Sequence, residues 1–252
     1  MDVSVIIDNI DRFIAGTLLT IQVTAVSVVL GFCLALLLAL ARLSPRWFLW
    51  MPAYAYIFYF RGTPLLVQMF LIYYGIGQYF ADNPDVRAYL QDIGLWSFLR
   101  NPYPFALLTL SLNTGAYGAE IIRGGIMGIP HGEIEAARAC GMSRLLMLRR
   151  IILPRAFRIA LPAYTNDVVF TFQATSLVSI ITIMDLTGVA RVLVSRSFAA
   201  FEIWIFVGII YCAISYAILY GFKLLEFRWS GHLRERPGMA VKPAAVVTAV
   251  VR

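Results

Sequence analysis

Residues 17–41, TLLTIQVTAVSVVLGFCLALLLALA, form an apolar block without a charged side chain. About 20 apolar residues are enough for a helix to cross the hydrocarbon core of a membrane, so this block predicts a membrane helix. Further apolar blocks follow at about 63–81, 103–123, 157–183 and 202–222. The blocks are continuous and do not alternate with polar residues. The sequence therefore predicts an all-α integral membrane protein with five transmembrane helices, and not a barrel of strands.

The overall composition supports this prediction. Of the 252 residues, 60% are hydrophobic and 14% are charged, whereas a soluble domain is nearer half apolar and a quarter charged. The net charge is +7, but the arginines lie between apolar blocks, so membrane topology explains them better than nucleic-acid binding does. Three separated cysteines and two histidines give no reason to expect a metal site.

Basic residues set the predicted orientation. With the N-terminus outside, sixteen arginines and lysines, Arg61 among them, fall on the cytoplasmic side and five fall on the other side. Because cytoplasmic loops carry the excess of basic residues, we expect an N-out, C-in topology.

The two ends of the chain differ from its middle. Residues 14–230 are the predicted membrane domain. Residues 1–13 are predicted to form an amphipathic helix on the membrane surface, because aliphatic side chains recur there at helical spacing. These side chains are Val3, Ile6, Ile7, Ile10 and, just beyond, Ile14. Residues 231–252 have two prolines and no periodic apolar face, so we expect a poorly ordered cytoplasmic tail.

A charged stretch interrupts the apolar blocks: residues 133–154, EIEAARACGMSRLLMLRRIILP. Small and acidic residues fall within two turns of one predicted helix, and Gly141 follows as a helix stop. A second helical run is predicted to end at Pro154. Two short helices that meet at a glycine would make a docking surface for another protein. The alternative is an ordinary solvated loop whose arginines only set topology.

The order of residues in this stretch resembles the EAA loop of permease subunits in ABC-type importers. Glu135-Ala136-Ala137 is followed by three residues, Gly141, nine residues, Ile151, one residue and Leu153-Pro154. Three other segments are similar to polar-amino-acid permeases, so that the resemblance covers roughly residues 12–230. These are FRGTPLLVQMFLIYYG at 60–75, LNTGAYGAEIIRGGI at 112–126 and LPAYTNDVVFTFQATSLVSIITIMDLTG at 161–188. The chain looks most like the M-type subunit of histidine, arginine–lysine–ornithine and opine uptake systems.

This resemblance implies a type I ABC importer permease fold in a bacterial inner membrane, and a set of partners. Residues 131–154 would be the coupling loop, with the ATPase contact carried by Glu135, Ala136, Ala137 and Gly141. The partners would be two cytoplasmic ATPase subunits, a related second permease subunit in a heterodimer, and a periplasmic binding protein. The sequence has no G-x-x-x-x-G-K-[ST] motif, so the chain is not expected to be an enzyme, and a partner ATPase would bind ATP-Mg.

Acidic residues inside predicted spans are the candidates for substrate contact. Asp167 lies well inside the fourth span, with no basic residue within one helical turn. A charge at mid-membrane costs about 2.5–3.5 kcal/mol, so it usually faces a cavity or a partner. We therefore expect Asp167 to meet a cationic substrate. The candidate substrate-binding set is Asp167, Asn166, Phe170, Thr171, Asn113 and Tyr117.

Glu120 shares a face with Asn113 and Tyr117 on the third span, and it could pair with Arg123 and Arg61 instead. We expect this polar face to line the inner path, and hydrogen bonding between helices is the alternative explanation. The segment RGTP, residues 61–64, predicts a helix start with Thr63 at the N-cap and Pro64 at the first helical position.

The sequence thus predicts a permease subunit of an ATP-driven importer for a polar, basic amino acid or an opine. Neutral or acidic amino acids remain open as substrates. A passive channel or a free-standing carrier would also use a polar face in the membrane, but it would not need the EAA loop. An intramembrane enzyme is disfavoured, because neither HExxH nor GxSxG occurs.

Overall fold

The computed structural model describes residues 4–229, and its regular structure is helical. The predicted tail, 231–252, lies outside the described residues. In chain order the first helices are α1 (Ser4–Ile7), α2 (Ile10–Arg42), α3 (Trp47–Gly62), α4 (Leu65–Phe70), α5 (Gln78–Asp82), α6 (Pro84–Asp92) and α7 (Trp96–Leu99). They are followed by α8 (Pro102–Met127), α9 (His131–Ala139), α10 (Arg144–Met147), α11 (Leu153–Ala174), α12 (Leu186–Ser197) and α13 (Ala200–Trp229).

Long apolar helices dominate the fold. Within the described part of the chain, α2 and α13 are each long and apolar enough to cross a membrane. The number rises to four if each of two bent helix pairs, 47–82 and 144–197, makes one crossing. The helix α8 is not among them, although it has 26 residues, because polar side chains along one face lower its hydropathy. Protein surrounds much of α8, so it needs less lipid-facing apolar surface than the others.

The central helices run in defined directions. α2 and α8 run the same way, since Gly31 lies beside Thr114 and, one turn further along both helices, Ala35 lies beside Gly118. α11 runs the opposite way. Thr171 bonds to Thr114, while Tyr164, two turns earlier in the chain, lies against Gly118.

A glycine permits the closest approach of α8 and α11. A Cβ added at Gly125 would lie 2.6 Å from the carbonyl oxygen of Ala156 and 3.0 Å from the Cβ of Ala160. Small residues at helix contacts are typical of membrane bundles, where close backbone packing stabilises association.

Three apolar clusters stack along the bundle. The one nearest the N-terminus of α2 joins Ile6 and Phe13 to α12 and α13, the middle one centres on Val23, Met69 and Leu110, and the third contains Ala35. Residues 10–13 belong to the long helix α2, although we had grouped them with an N-terminal surface helix. Ile6 and Phe13 pack inside the protein, and whether the described part of residues 1–13 lies on a membrane surface stays a prediction.

The segment before the second predicted span is helical. A helix over Trp47–Gly62 precedes that span, and the chain bends by 108° between that helix and the next one. Pro64 takes the N-cap position of α4, so the helix starts one residue later than RGTP predicted. The sequence does not predict this helix, because its 16 residues are too few for a full membrane span.

The charged loop continues into the fourth predicted span without a stop. A π-helical segment, Leu148–Ile152, joins α10 to α11, and Pro154 stands in the first turn of α11. The prediction that a helix ends at Pro154 was therefore wrong. A helix can pass this proline because the wider π turn rearranges the backbone hydrogen bonds, and the first-turn position needs no N–H donor.

Candidate substrate path and docking loop

Asp167 lies near the middle of α11 and is 8% exposed. Its Oδ2 atom is buried, and no donor among residues 4–229 bonds to it. The hydroxyl of Tyr164, one turn earlier on the same helix, is also buried without a partner among these residues. A buried carboxylate oxygen without a donor is costly, so it requires a partner outside the described residues, either a water, another chain or a ligand.

Three of the predicted substrate-binding residues lie next to Asp167 on a face of the chain that the described residues do not cover, which is called the open face below. Asn166 is exposed, and Phe170, which follows it after one turn of α11, is 52% exposed. Tyr117 of α8 is half-buried, and its ring centroid is 6.4 Å from that of Phe170. The structure thus brings Asn166, Phe170 and Tyr117 together beside the buried carboxylate.

Thr171 and Asn113 are placed differently from these three. The Thr171 hydroxyl is 3% exposed; it donates to the backbone carbonyl of Asp167 at 2.9 Å and bonds to the Thr114 hydroxyl at 3.0 Å. The Asn113 amide nitrogen donates to Gln68 Oε1 at 2.9 Å and to the Phe60 carbonyl at 3.4 Å. Both side chains are engaged inside the protein, so any contribution to substrate binding would be indirect.

Gln68 holds the bend between α3 and α4 in place. Its amide nitrogen donates to the carbonyl oxygens of Phe60 at 2.8 Å and Thr63 at 3.0 Å, and to the Thr63 hydroxyl at 2.9 Å. These bonds satisfy backbone groups that the end of α3 leaves free. Together with Asn113, Gln68 fixes the position of the last turn of α3.

Arg61 stands in that last turn. Its guanidinium lies over the ring of Tyr117, 5.3 Å from the centroid. The sequence predicts Arg61 in a cytoplasmic loop, whereas the structure places it in a helix, beside a residue in the middle of α8; its cytoplasmic side stays a prediction. The missed signal is the aromatic run before FRG, which extends the helix inward from the loop.

Glu120 forms ion pairs with arginines, although its Oε1 atom is buried without a hydrogen-bond donor among residues 4–229. Arg123 donates to its Oε2 through Nε at 3.0 Å and a terminal nitrogen at 2.7 Å, and Arg42 approaches Oε1 at 3.8 Å. Arg123 was an expected partner, whereas Arg42 takes the place predicted for Arg61. This cluster explains Glu120 as a structural residue that joins α2 and α8.

In the charged loop, α9 ends as the sequence predicts. Gly141 has a φ of +74°, its N–H donates to the Arg138 carbonyl at 2.9 Å, and the Met142 N–H donates to the Ala137 carbonyl at 3.2 Å. These bonds form a Schellman motif, which needs a left-handed residue at the position of Gly141. No atom of residues 4–229 lies within 4 Å of a Cβ built there, so backbone conformation rather than space requires the glycine.

The predicted docking residues divide between two faces of α9. Glu135 and Ala136 are exposed, but Ala137 is 4% exposed and therefore packs against this chain. An ion pair of 3.2 Å joins Glu133, in the first turn of α9, to Arg155 at the start of α11. A displacement of α9 would thus be transmitted through this ion pair to α11, the helix that carries Asp167.

Comparisons with known proteins agree with this architecture. The family model described as binding-protein-dependent transport system inner membrane component matches residues 14–231. The chain is 48% identical to an octopine transport system permease protein of Rhizobium meliloti, over 86% of this chain and 84% of that protein. It is 42% identical to a nopaline transport system permease protein of Agrobacterium fabrum, over 97% and 99%. It is 38% identical to a histidine/lysine/arginine/ornithine transport system permease protein of Escherichia coli, over 87% and 89%.

Solved structures have the same fold. A chain of an amino acid ABC transporter, crystallised with histidines, superposes with a TM-score of 0.77 at 31% identity, over 90% of this chain and 99% of that one. A chain of the inward-facing MetNI methionine ABC transporter gives a TM-score of 0.66 at 15% identity, over 87% and 97%, and supports the fold alone. The all-α bundle, its charged loop and these matches agree: the chain belongs to the family of binding-protein-dependent transport system inner membrane components.

Proposed function

We propose that this chain is the permease subunit through which an ATP-driven importer moves a basic amino acid or an opine. Family membership makes it the membrane component of an ABC importer, which works with ATPase and other subunits. The observation that carries the substrate class is Asp167, a carboxylate buried at mid-helix with an oxygen that no described residue satisfies. The names of the octopine, nopaline and histidine/lysine/arginine/ornithine permeases support the same class.

The substrate cation would reach Asp167 from the open face. A cationic group there offsets part of the desolvation penalty that the carboxylate otherwise bears. Asn166, Phe170 and Tyr117 lie on that face and would contact the substrate directly. Thr171 and Asn113 would act as positioning residues, because their hydrogen bonds are already used inside the chain. A second, related permease subunit would cover the open face and enclose the path.

The charged loop would transmit the work of the ATPase. Glu135, Ala136 and the glycine-ended helix present a rigid surface to a cytoplasmic ATPase subunit, and Ala137 packs that helix on its own chain. From there the Glu133–Arg155 ion pair links the loop to α11. Movement of the loop would therefore alter access to Asp167.

The remaining partners follow from the same proposal. Two ATPase subunits would bind ATP-Mg and serve the two permease chains, and a periplasmic binding protein would deliver the substrate. This chain would contribute no catalytic residue and no metal ligand.

We further propose five crossings with the N-terminus outside. Because α2 and α8 run in the same direction, the chain crosses the membrane an odd number of times between the end of α2 and the start of α8, and the bent pair 47–82 would supply that one crossing. The helix α11 then returns antiparallel to α8. The orientation rests on the distribution of basic residues.

ATP-dependent uptake tests the proposed function. The complete complex is reconstituted in proteoliposomes with its binding protein, loaded with ATP, and offered radiolabelled arginine, lysine, glutamine or glutamate. We expect ATP-dependent uptake of the cationic amino acids. Uptake confined to glutamine or glutamate would contradict the substrate class, and uptake that does not need ATP would contradict the importer function.

A further inference from the structure

Arg61 and Asp167 are opposite charges that face the same part of the bundle without forming a pair. Arg61 lies over the ring of Tyr117, which contacts Phe170, one turn from Asp167 on α11. The ion pairs within 4 Å among residues 4–229 involve only Glu120 and Glu133 as acids. Two opposite charges that existed only to neutralise each other in a membrane would be expected to meet directly. A molecule that carries both charges would therefore find a partner for each of them.

The surroundings of Arg61 hold it in this open arrangement. The Tyr117 ring supports its guanidinium, and the bonds of Gln68 fix the turn of α3 from which it projects. Asp167 is fixed on another helix, where Thr171 bonds to its backbone. The two charges are therefore positioned by separate elements and need not collapse onto each other.

The neighbouring side chains match an amino acid with a long side chain. Phe170 and Tyr117 provide two aromatic rings beside the charges, with centroids 6.4 Å apart. Rings of this kind pack against the aliphatic part of a ligand and attract cationic groups. The planar guanidinium of an arginine is well suited to bind a carboxylate through two parallel hydrogen bonds.

We propose that Arg61 binds the α-carboxylate of the substrate while Asp167 binds its cationic end. This inference rests on the proposed function, to which it adds the recognition of the carboxylate. The ligand class is then a cationic α-amino acid, or an N-carboxyalkyl derivative of one, and a simple amine of the same length is a poor ligand. Arg61 becomes a specificity-determining residue at the path, and not a residue that only sets topology.

The test is ligand binding to the purified complex in nanodiscs without the binding protein. Radiolabelled arginine is competed by three unlabelled probes: arginine, agmatine, which lacks the carboxylate, and citrulline, which lacks the side-chain charge. For the wild type we expect arginine to bind more tightly than either analogue. In Arg61→Gln, arginine affinity should fall by about tenfold to a hundredfold, the range for a charged hydrogen bond, and agmatine affinity should stay within about twofold.

Two further variants make the result specific. Arg61→Lys keeps the charge but loses the planar fork, so it should give an intermediate preference for arginine over agmatine and should assemble even if Arg61→Gln does not. Arg46→Gln removes an arginine just before the other end of α3 and should leave both affinities unchanged.

Equal loss of arginine and agmatine binding in Arg61→Gln and Arg61→Lys would overturn the inference, because it would make Arg61 a structural residue. Unchanged or tighter arginine binding in Arg61→Gln would also overturn it, since Arg61 would then be absent from the site or compete with the ligand cation. The proposed function fails in a different way. In that case Asp167→Asn would bind arginine and agmatine with the wild-type affinities, whatever effect the Arg61 substitutions have on binding.

Discussion

Replacement of Gly141 tests whether the shape of the charged loop serves coupling to an ATPase. The residue has a φ of +74°, and a left-handed conformation costs an L-residue with a side chain roughly 1–2 kcal/mol. If the backbone relaxes instead, the two bonds of the Schellman motif are lost, at about 0.5–1.5 kcal/mol each. The less costly route sets the effect, so the equilibrium between formed and unformed loop shifts by about 5- to 30-fold, the factor that corresponds to 1–2 kcal/mol.

The assay measures two quantities on the complex: the amount of ATPase that co-purifies with the permease, and the stimulation of ATP hydrolysis by substrate-loaded binding protein. Asn tolerates the left-handed conformation better than other non-glycine residues, and β-branched Val tolerates it least. Both quantities should therefore decrease in the order Gly141, Gly141→Asn, Gly141→Ala, Gly141→Val.

Gly132→Ala is the matched control, because Gly132 lies in the same short helix with ordinary φ and no neighbour within 4 Å. It should keep both quantities at the wild-type level. Asn is larger than Ala, so if Gly141→Asn proved worse than Gly141→Ala, crowding by the ATPase and not backbone conformation would decide the effect. Wild-type coupling in Gly141→Val would refute the reasoning.

Three other perturbations probe separate parts of the structure. Reversing the charge of either Glu133 or Arg155 should lower substrate-stimulated ATP hydrolysis, and the double charge exchange should restore part of it. The free energy of unfolding should change by no more than about 1 kcal/mol, because the pair is partly exposed. No restoration would mean that the pair does not link the loop to α11. Gln68→Leu removes the hydrogen bonds across the bend between α3 and α4 and should destabilise the chain by about 1–3 kcal/mol, measured as a lower melting temperature in detergent. An unchanged melting temperature would mean that these bonds do not stabilise the bend. In a cysteine-free background, a cysteine at Asp85 should react with an impermeant reagent outside cells and one at Arg149 should not; the reverse labelling would invert the proposed topology.

The sequence predicted the parts of the fold that depend on local signals. Long apolar blocks predicted the helices, and Gly141 after a short helical pattern predicted a left-handed helix end, which the structure confirms. The family resemblance, carried by the EAA pattern, is confirmed by the family match. These features need only a few neighbouring residues, so they can be read without knowledge of tertiary contacts.

Features that depend on packing were missed. The position of Arg61 follows from a helix too short to stand out as a span, and from a bend held by Gln68, which is distant from Asn113 in the sequence. Burial of Ala137 and the passage of a helix through Pro154 also depend on contacts or on a π turn that periodicity does not show. For the candidate site, the role of Asp167 stays a prediction, and the sequence could not show that the side chains of Asn113 and Thr171 are already hydrogen-bonded.

The most direct test of the central claim is ATP-dependent uptake of arginine by Asp167→Asn. The substitution keeps size and removes the charge that the substrate cation would meet. Losing a charge-assisted hydrogen bond costs about 1.5–3 kcal/mol, so uptake into ATP-loaded proteoliposomes should fall by about tenfold to a hundredfold. Complex yield and arginine binding by the separate binding protein should not change, and Asp11→Asn, an exposed acid in the first turn of α2, should transport normally. Wild-type uptake by Asp167→Asn, with normal complex yield, would contradict the account.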